Sequence, residues 1–433
     1  MPKICFLGAG STVFAINVLG DCLLVDSLKG SHITLVDIDP DRLEVSRSAI
    51  ENLNRTVKGG ARIESYLAED ASKALENADY VVNAIQVGGY EPSTVLDFEI
   101  PKKYGLRQTI GDTLGIGGIF RGLRTIPVML KYCQLIEKHA PDALLLNYTN
   151  PMAIVTGAIL KGTSVRAVGL CHSVQSCARH LCAELDMPHD DLQWRIAGIN
   201  HQGWLLEISR HGQDLYPEIK RRAELPEYKH KDAVRFEIMK WFGFYVTESS
   251  EHSSEYVPWF IKQRAPELIQ RFGIPLDEYP RRCIAQIKGW EALKTKLLSN
   301  ESLTHQRTEE YASYIFDAIE TGRPYVFGGN VLNSGLITNL PTDACVEVMC
   351  LADRNGITPT YVGALPPQCA ALNRTNINVQ ELTIEAALTR RKEHIYQAAL
   401  LDPHTAAELT IDEIVSLCND LLEAHAAYLP EYS

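Results

Sequence analysis

The sequence predicts an α/β fold, a doubly wound parallel sheet followed by an α+β portion, on three observations. Lys3-Ile4-Cys5-Phe6-Leu7 is a short apolar run of strand character, followed at once by Gly8-Ala9-Gly10-Ser11-Thr12 and then by Val13 to Leu24 at helical spacing. A second apolar run, His32-Ile33-Thr34-Leu35-Val36, ends in Asp37-Ile38-Asp39-Pro40. Apolar runs and amphipathic stretches then alternate to about residue 170, which indicates a parallel sheet with helices on both faces. The three together describe a Rossmann-type, doubly wound domain over residues 1–170.

The first βα turn puts a helix N-terminus where it would receive a pyrophosphate, so Gly8, Gly10, Ser11 and Thr12 are candidate cofactor-binding residues. Position 13 is Val where a third glycine is usual, and a Gly-x-Gly turn alone is also compatible with a plain structural turn. Asp37, at a strand end within the first βαβ unit, is placed to meet the ribose hydroxyls, and its charge prefers NAD to NADP. Asp39-Pro40 reads as a helix N-cap. Arg42 to Val57 then reads as a helix, Ala61 to Leu67 as a strand, and Asn77 to Ile85 as a strand leading to Gly88-Gly89. Phe120 to His139 is helical in spacing, and Pro141 to Asn147 supplies a turn and the next apolar strand.

From about 175 the pattern changes: a helix over Gln175 to Leu185, β-rich segments around Trp194 to Ser209, and helices from Ala233 to about Ala265 and from Arg307 to Thr321. Thr410-Ile411-Asp412-Glu413 is a capping box, followed by Ile414, Leu417, Leu421 and Leu422 on one stripe. Residues 171–433 are read as an α+β domain for catalysis, substrate and oligomerisation. The apolar C-terminal helices point to a homodimer or homotetramer.

A chain of 433 residues, 45% apolar and 22% charged, can bury a large core. Its formal charge of −12 and the lack of a basic run with interleaved aromatics exclude nucleic acid as the expected partner. No leader precedes Lys3 and no apolar run reaches the roughly 20 residues of a bilayer span, so the expected location is the cytoplasm, without membrane contact. Eleven cysteines without paired spacing suit a reducing compartment.

Cys171 follows the apolar strand Val165 to Leu170, at the carboxyl end where α/β sheets place their ligands, and His201 follows in Gly198-Ile199-Asn200-His201-Gln202-Gly203. A thiolate and an imidazole suit a soft-to-borderline divalent ion. Taken singly, each also fits a structural role as a core thiol or a satisfied core histidine.

The motifs in order are Gly8-Ala9-Gly10-Ser11, Asn147-Tyr148-Thr149-Asn150-Pro151, Cys171-His172-Ser173, Gly198-Ile199-Asn200-His201, and Asn333-Ser334-Gly335-Leu336-Ile337-Thr338-Asn339-Leu340-Pro341. They run nearly end to end, and the chain resembles glycoside hydrolase family 4, the NAD- and metal-dependent glycosidases that depart from two-carboxylate hydrolysis. Cys171-His172-Ser173 is similar to the α-galactosidase branch, whereas phospho-glycosidase branches carry Asn or Asp after the cysteine. Ile110 to Gly115 likewise resembles the neutral-sugar branch, and no added phosphate-binding cluster is evident. The stretch Val246 to Tyr256 is similar to that branch too, is too polar for a packed helix face, and is read as lining the site.

The resemblance implies hydride transfer from the sugar's C3 to NAD, which acidifies the C2 hydrogen. A base removes that proton, and a metal (Mn2+ or another divalent ion) held by Cys171 and His201 stabilises the enediolate. The C1 oxygen then leaves, water adds, and the hydride returns, so no net oxidation occurs. It implies Tyr256 as the C2 base, with a nearby metal lowering its pKa. His172 is the acid for the leaving oxygen, with Asp112 as the rival. Asn150 binds the hydroxyls near C2 and C3, and Asn83 and Asn147 meet the nicotinamide half. The expected substrate is a small α-galactoside of the melibiose or raffinose type. Within the family, an α-galacturonidase or α-glucosidase is the alternative; outside it, an NAD-dependent 2-hydroxy acid dehydrogenase or a non-catalytic sugar sensor.

Overall fold

The computed structural model describes residues 1–299 and 302–433. Among them, thirteen strands form one sheet: β1 (Lys3–Leu7), β2 (His32–Asp37), β3 (Arg62–Leu67), β4 (Tyr80–Asn83), β5 (Leu144–Asn147), β6 (Arg166–Gly169), β7 (Leu192–Ile199), β8 (Gln202–Arg210), β9 (Gln213–Asp214), β10 (Tyr245–Val246), β11 (Tyr325–Leu332), β12 (Cys345–Asp353) and β13 (Gly356–Pro359). The order β3-β2-β1-β4-β5-β6 is all parallel, with its direction of winding reversing between β1 and β4. That is the doubly wound dinucleotide arrangement, and the crevice outside β1 and β4 is where such sheets bind ligands. Beyond β6 the same sheet continues as β11-β12-β7-β8-β10 with antiparallel pairing.

The buried strands are apolar on both faces: Ile4, Cys5, Phe6 and Leu7, then Leu144, Leu145 and Leu146, are all inside the main core. The second half docks onto the first through the helix Pro367–Thr389, which packs against the helices Gly115–His139 and Met152–Gly162. An ion cluster pins the C-terminal end to the same region. Arg124 reaches Asp97 with both terminal nitrogens, at 3.0 and 2.5 Å, and His425 Nε2 meets the same carboxylate at 2.9 Å, all three side chains buried. A separate apolar cluster lies between the helix His172–Glu184 and the β7–β8 hairpin. Among the described residues no helix is long and apolar enough to cross a membrane.

Several boundaries differ from those read in the sequence. The helix expected over Gln175 to Leu185 begins at His172, because the extended Cys171 serves as its N-cap residue, and this puts the side chain after the cysteine on the first turn. The single helix expected from Ala233 to about Ala265 is three pieces: Ala233–Phe242, β10 and Ser250–Glu255. Gly243, in the left-handed region at φ 85°, ends the first piece and turns the chain into β10. The helix expected from Arg307 runs Ala312–Thr321. Nothing in the sequence reading anticipated the helix Glu278–Leu298, of which only Leu297 is buried. Thr410 and Glu413 do form the reciprocal capping box, ahead of the buried stripe Ile414, Leu417 and Leu421.

Candidate active site

Three separate turns bring their side chains to one point. Leu170 and Cys171 leave β6 directly before the helix His172–Glu184. Asn200 and His201 form the two-residue turn of the β7–β8 hairpin, with His201 at φ 64°. β10 pairs with β8, Val246 opposite Trp204, and the Thr247 hydroxyl accepts the Gly203 N–H at 3.0 Å, which delivers Glu248 beside His201. Glu248 is also left-handed, at φ 68°. Two non-glycine residues in this region next to one another are held there by surrounding structure, a pattern concentrated at functional sites.

Glu248 Oε2 lies 3.6 Å from His201 Nε2 and 3.9 Å from Cys171 Sγ, and one donor atom of each residue falls within 4.8 Å of the others. A sulfur, an imidazole and a carboxylate so close, with His201 buried, can converge on one divalent ion of borderline softness. Burial pushes the Cys171 thiol up to about 12. Burial also raises the Glu248 carboxyl, but the charges of His201 and His252 outweigh it and hold the group below the ordinary range.

A second carboxylate adjoins the first. His252 Nδ1 is 3.4 Å from Glu248 Oε1, and its Nε2 is 3.7 Å from Asp112 Oδ1, while Asn150 Nδ2 donates to Asp112 Oδ2 at 2.9 Å. Asp112 is 5% exposed. Burial raises its carboxyl, yet the nearby His252 ring and the Arg121 charge bring it down to about 2. The loop before it is stapled from below: buried Glu255 accepts the N–H groups of Thr109 (2.5 Å), Gly111 (3.1 Å) and Ile110 (3.3 Å). The stretch read as too polar for a packed face is therefore packed, with His252, Ser253, Ser254 and Glu255 buried on a six-residue helix; Glu255 and Ser254 are bonded to backbone groups and His252 faces the site.

These residues line an open cleft of about 390 Å³, floored by Asp112, Asn150, Cys171, His201, Glu248 and His252. His172 stands on its wall with Nε2 2.7 Å from Glu310 Oε2. Burial lowers the His172 ring, but the bond to Glu310 outweighs it and raises it. The helix Glu278–Leu298 overhangs the opening with Tyr279, Arg282, Cys283 and Gln286. Tyr256 is placed differently from the expectation. It is buried behind the lining, its ring centroid 6.2 Å from that of His201, and burial, with the Asp112, Cys171 and Glu248 charges, drives its hydroxyl well above the usual phenol range against a hydrogen bond to Thr113. The phenol on the cleft itself is Tyr279, which accepts from Arg121 at 3.2 Å. Asn373 and Asn376 on the helix Pro367–Thr389 grip Gln202, the residue after His201, and Asn376 also holds the Tyr256 carbonyl at 3.2 Å.

The glycine turn lies at the carboxyl end of β1. Gly8 has φ 85°, and a Cβ there would stand 2.7 Å from the Ala84 backbone. The Gly10 N–H donates to Asp37 Oδ2 at 2.6 Å, so Asp37 sits at the mouth of the turn. The helix Thr12–Leu23 begins at the exposed Ser11 with no side-chain cap, leaving its first N–H groups available to an anion. Thr12 is turned inward, its hydroxyl bonded to Gly10 O and Ser46, so only its backbone faces the turn. Val13 is 55% exposed and points away, which removes the need for a third glycine. Asn83 and Asn147, side by side on β4 and β5, are fully buried: Asn83 Nδ2 donates to Asn147 Oδ1 at 2.8 Å and to Thr149 at 3.0 Å, and Asn147 Nδ2 to Thr156 at 3.0 Å. Their amides are committed to each other and shape the crevice from beneath.

Glu248, His252, Glu310 and Tyr279 were not singled out from sequence as site residues. Glu248 and His252 lie inside the stretch read as lining the site, and that polarity was the available signal; Glu310 and Tyr279 carry no local pattern.

Comparison with known proteins agrees with this geometry. Residues 3–187 match the family model described as family 4 glycosyl hydrolase, and residues 196–405 match its C-terminal domain. The chain is 60% identical to an α-galactosidase of Bacillus subtilis over the whole length of both, and 35% identical to an α-galactosidase of Rhizobium meliloti, over all of this chain and 90% of that one. The structure of a 6-phospho-α-glucosidase from gut microorganisms in complex with NAD and Mn2+ superposes over all of both chains with a TM-score of 0.81 at 22% identity. By these matches, and with the cysteine, histidine and glycine-turn motifs in place, the chain belongs to glycosyl hydrolase family 4.

Proposed function

We propose that this chain is an α-galactosidase acting on melibiose- or raffinose-type sugars, dependent on NAD and on a divalent metal such as Mn2+. The observation that carries the reading is the Cys171, His201 and Glu248 donor group on the floor of a cleft at the carboxyl edge of a dinucleotide-type sheet. The identity to two α-galactosidases, 60% and 35%, supports the galactoside. Residues 1–170 then form the NAD domain and 171–433 the catalytic and substrate domain.

The bound dinucleotide supplies a hydride acceptor that becomes the donor later in the same turnover, and the bound ion supplies Lewis acidity at adjacent sugar oxygens. Cys171 and His201 hold the ion with Glu248 as third donor. Gly8, Gly10, Ser11 and the Thr12 backbone receive the pyrophosphate, Asp37 takes the ribose hydroxyls, and Asn83 and Asn147 rigidify the crevice under the nicotinamide. Asn150 grips the hydroxyls near C2 and C3, oriented by Asp112, which His252 orients in turn. Asp112 is held ionised, has no proton to give near neutral pH and serves as an acceptor. His172, braced by Glu310 on the cleft wall, then gives the proton to the leaving oxygen. Tyr256, behind His201, would take the C2 proton once its buried hydroxyl is drawn down by the bound ion, and Tyr279 is the competing phenol because it lines the cleft.

Melibiose incubated with the purified protein, NAD and Mn2+ tests this. Galactose release without net growth of nicotinamide absorbance supports the reading; NADH accumulating with product would make the chain a dehydrogenase instead.

A further inference from the structure

One row of residues crosses the place where the parallel sheet turns antiparallel. Gly169 on β6 is paired with Asn330 on β11, Asn330 with Glu347 on β12, and Glu347 with Gly198 on β7. Gly169 with Asn330 is the single registered pair between β6 and β11, and Glu347 with Gly198 the single one between β12 and β7. Cys171 lies two residues beyond the first end of the row and His201 three residues beyond the other. This row is therefore the one registered line that runs unbroken between the two strands that carry the metal donors.

The row is built tightly. Asn330 Nδ2 donates to Glu347 Oε1 at 2.9 Å and approaches Gly169 O at 3.4 Å. A Cβ on Gly169 would stand 2.5 Å from Thr156 Oγ1 and 3.0 Å from Asn330 Cβ, so a larger residue there would push Asn330 away. Asn330 and Glu347 are both 0% exposed, and neither is among the residues lining the cleft. A carboxyl group in a sheet interior with an amide as its direct partner is costly to bury. Glu347 Oε2, His201 Nδ1 and Asn200 Nδ2 are buried without a hydrogen-bond partner of ordinary geometry among the described residues, and both the Asn200 amide and the His201 ring act on the Glu347 carboxyl.

We propose that Asn330 and Glu347 are positioning residues, a strut across four strands that holds Cys171 and His201 at the separation one ion requires. The inference rests on the reading of Cys171 and His201 as metal donors. Groups behind metal ligands that set their placement alter metal affinity by about 10- to 100-fold when replaced.

The test is titration of the metal-free, full-length protein with Co2+, followed by the thiolate-to-metal absorption band, with NAD affinity and melting temperature measured on the same samples. The parent should show the band and Cys171→Ser should not. Glu347→Gln and Asn330→Ala should bind Co2+ about 10- to 100-fold more weakly while NAD affinity stays at the parent value. Where Glu347→Gln does not fold, Asn330→Ser reads the same strut. A folded variant with parental Co2+ affinity overturns the strut alone. A parent without the band overturns the metal reading and the strut with it.

Discussion

Glu248 Oε2 stands 3.6 Å from His201 Nε2, each residue in a left-handed backbone conformation at the tip of a neighbouring turn. The contact converts a two-donor motif into a three-donor group with Cys171. If all three hold the ion, Cys171→Ser abolishes metal-dependent turnover while NAD binding is retained. Glu248→Gln lowers the apparent Mn2+ affinity by about tenfold or more, since the carboxylate is a hard donor that suits this ion. Activity against Mn2+ concentration, with NAD binding measured separately, checks both. Full metal-dependent turnover by Cys171→Ser contradicts the assignment.

The two phenols near the floor are separable by exchange. Tyr256→Phe should lose deuterium incorporation at C2 of galactose formed in D2O, and Tyr279→Phe should retain it while raising KM through the freed Arg121. Mass spectrometry of the product reads the difference. Retained exchange in Tyr256→Phe with loss in Tyr279→Phe moves the base to the cleft-lining phenol.

Asp112 carries a pH signature in stability. Its folded-state value near 2 lies below the ordinary value of 3.8. The stabilisation is therefore present above the unfolded value and lost as pH falls through the folded one, between about pH 5 and 2, and amounts to about 2 kcal/mol. Asp112→Asn should accordingly be destabilised relative to the parent in urea at pH 7, and the gap should narrow steadily toward pH 3. A gap that does not change with pH contradicts the ionised Asp112.

The buried cluster of Arg124, Asp97 and His425 ties the end of the chain to the nucleotide-binding half. Asp97→Ala leaves two buried nitrogen groups without their acceptor, a loss of about 3–5 kcal/mol. A fall in melting temperature without change in the KM of the folded fraction is expected, as none of the three lines the cleft.

Much of this was legible in the sequence because it is written locally. The glycine turn, the strand-end Asp37 and the Thr410 capping box each depend on a few adjacent residues whose chemistry admits one geometry, and all three appear where expected. Cys171 and His201 were readable from their motifs, but their convergence on one ion came only from the family resemblance, since it depends on pairings between strands more than a hundred residues apart in the chain. Glu248 escaped because β10 has two residues and the following helix six, both too short to show a period. The false continuous helix after Ala233 has the same origin: apolar spacing resumed after Gly243, and only the left-handed turn there breaks it. The family resemblance gave Asn83 and Asn147 as residues meeting the nicotinamide half, and their hydrogen bond to each other, set by the parallel pairing of β4 and β5, carried no local sequence signal. The helix Glu278–Leu298 carries Ile284, Ile287, Trp290, Leu293 and Leu297 at helical spacing, and Trp290, Leu293 and Leu297 pack against Val45 and Ala49, so its period stood in the sequence and went unread.

The most direct measurement is nitrophenol release from a nitrophenyl α-galactoside by the purified protein, with NAD, Mn2+ and thiol reductant each omitted in turn. Activity that requires all three is the expected result and ties the substrate, the dinucleotide turn and the Cys171 site to one reaction. Activity on the galactoside that is indifferent to NAD and metal would contradict it.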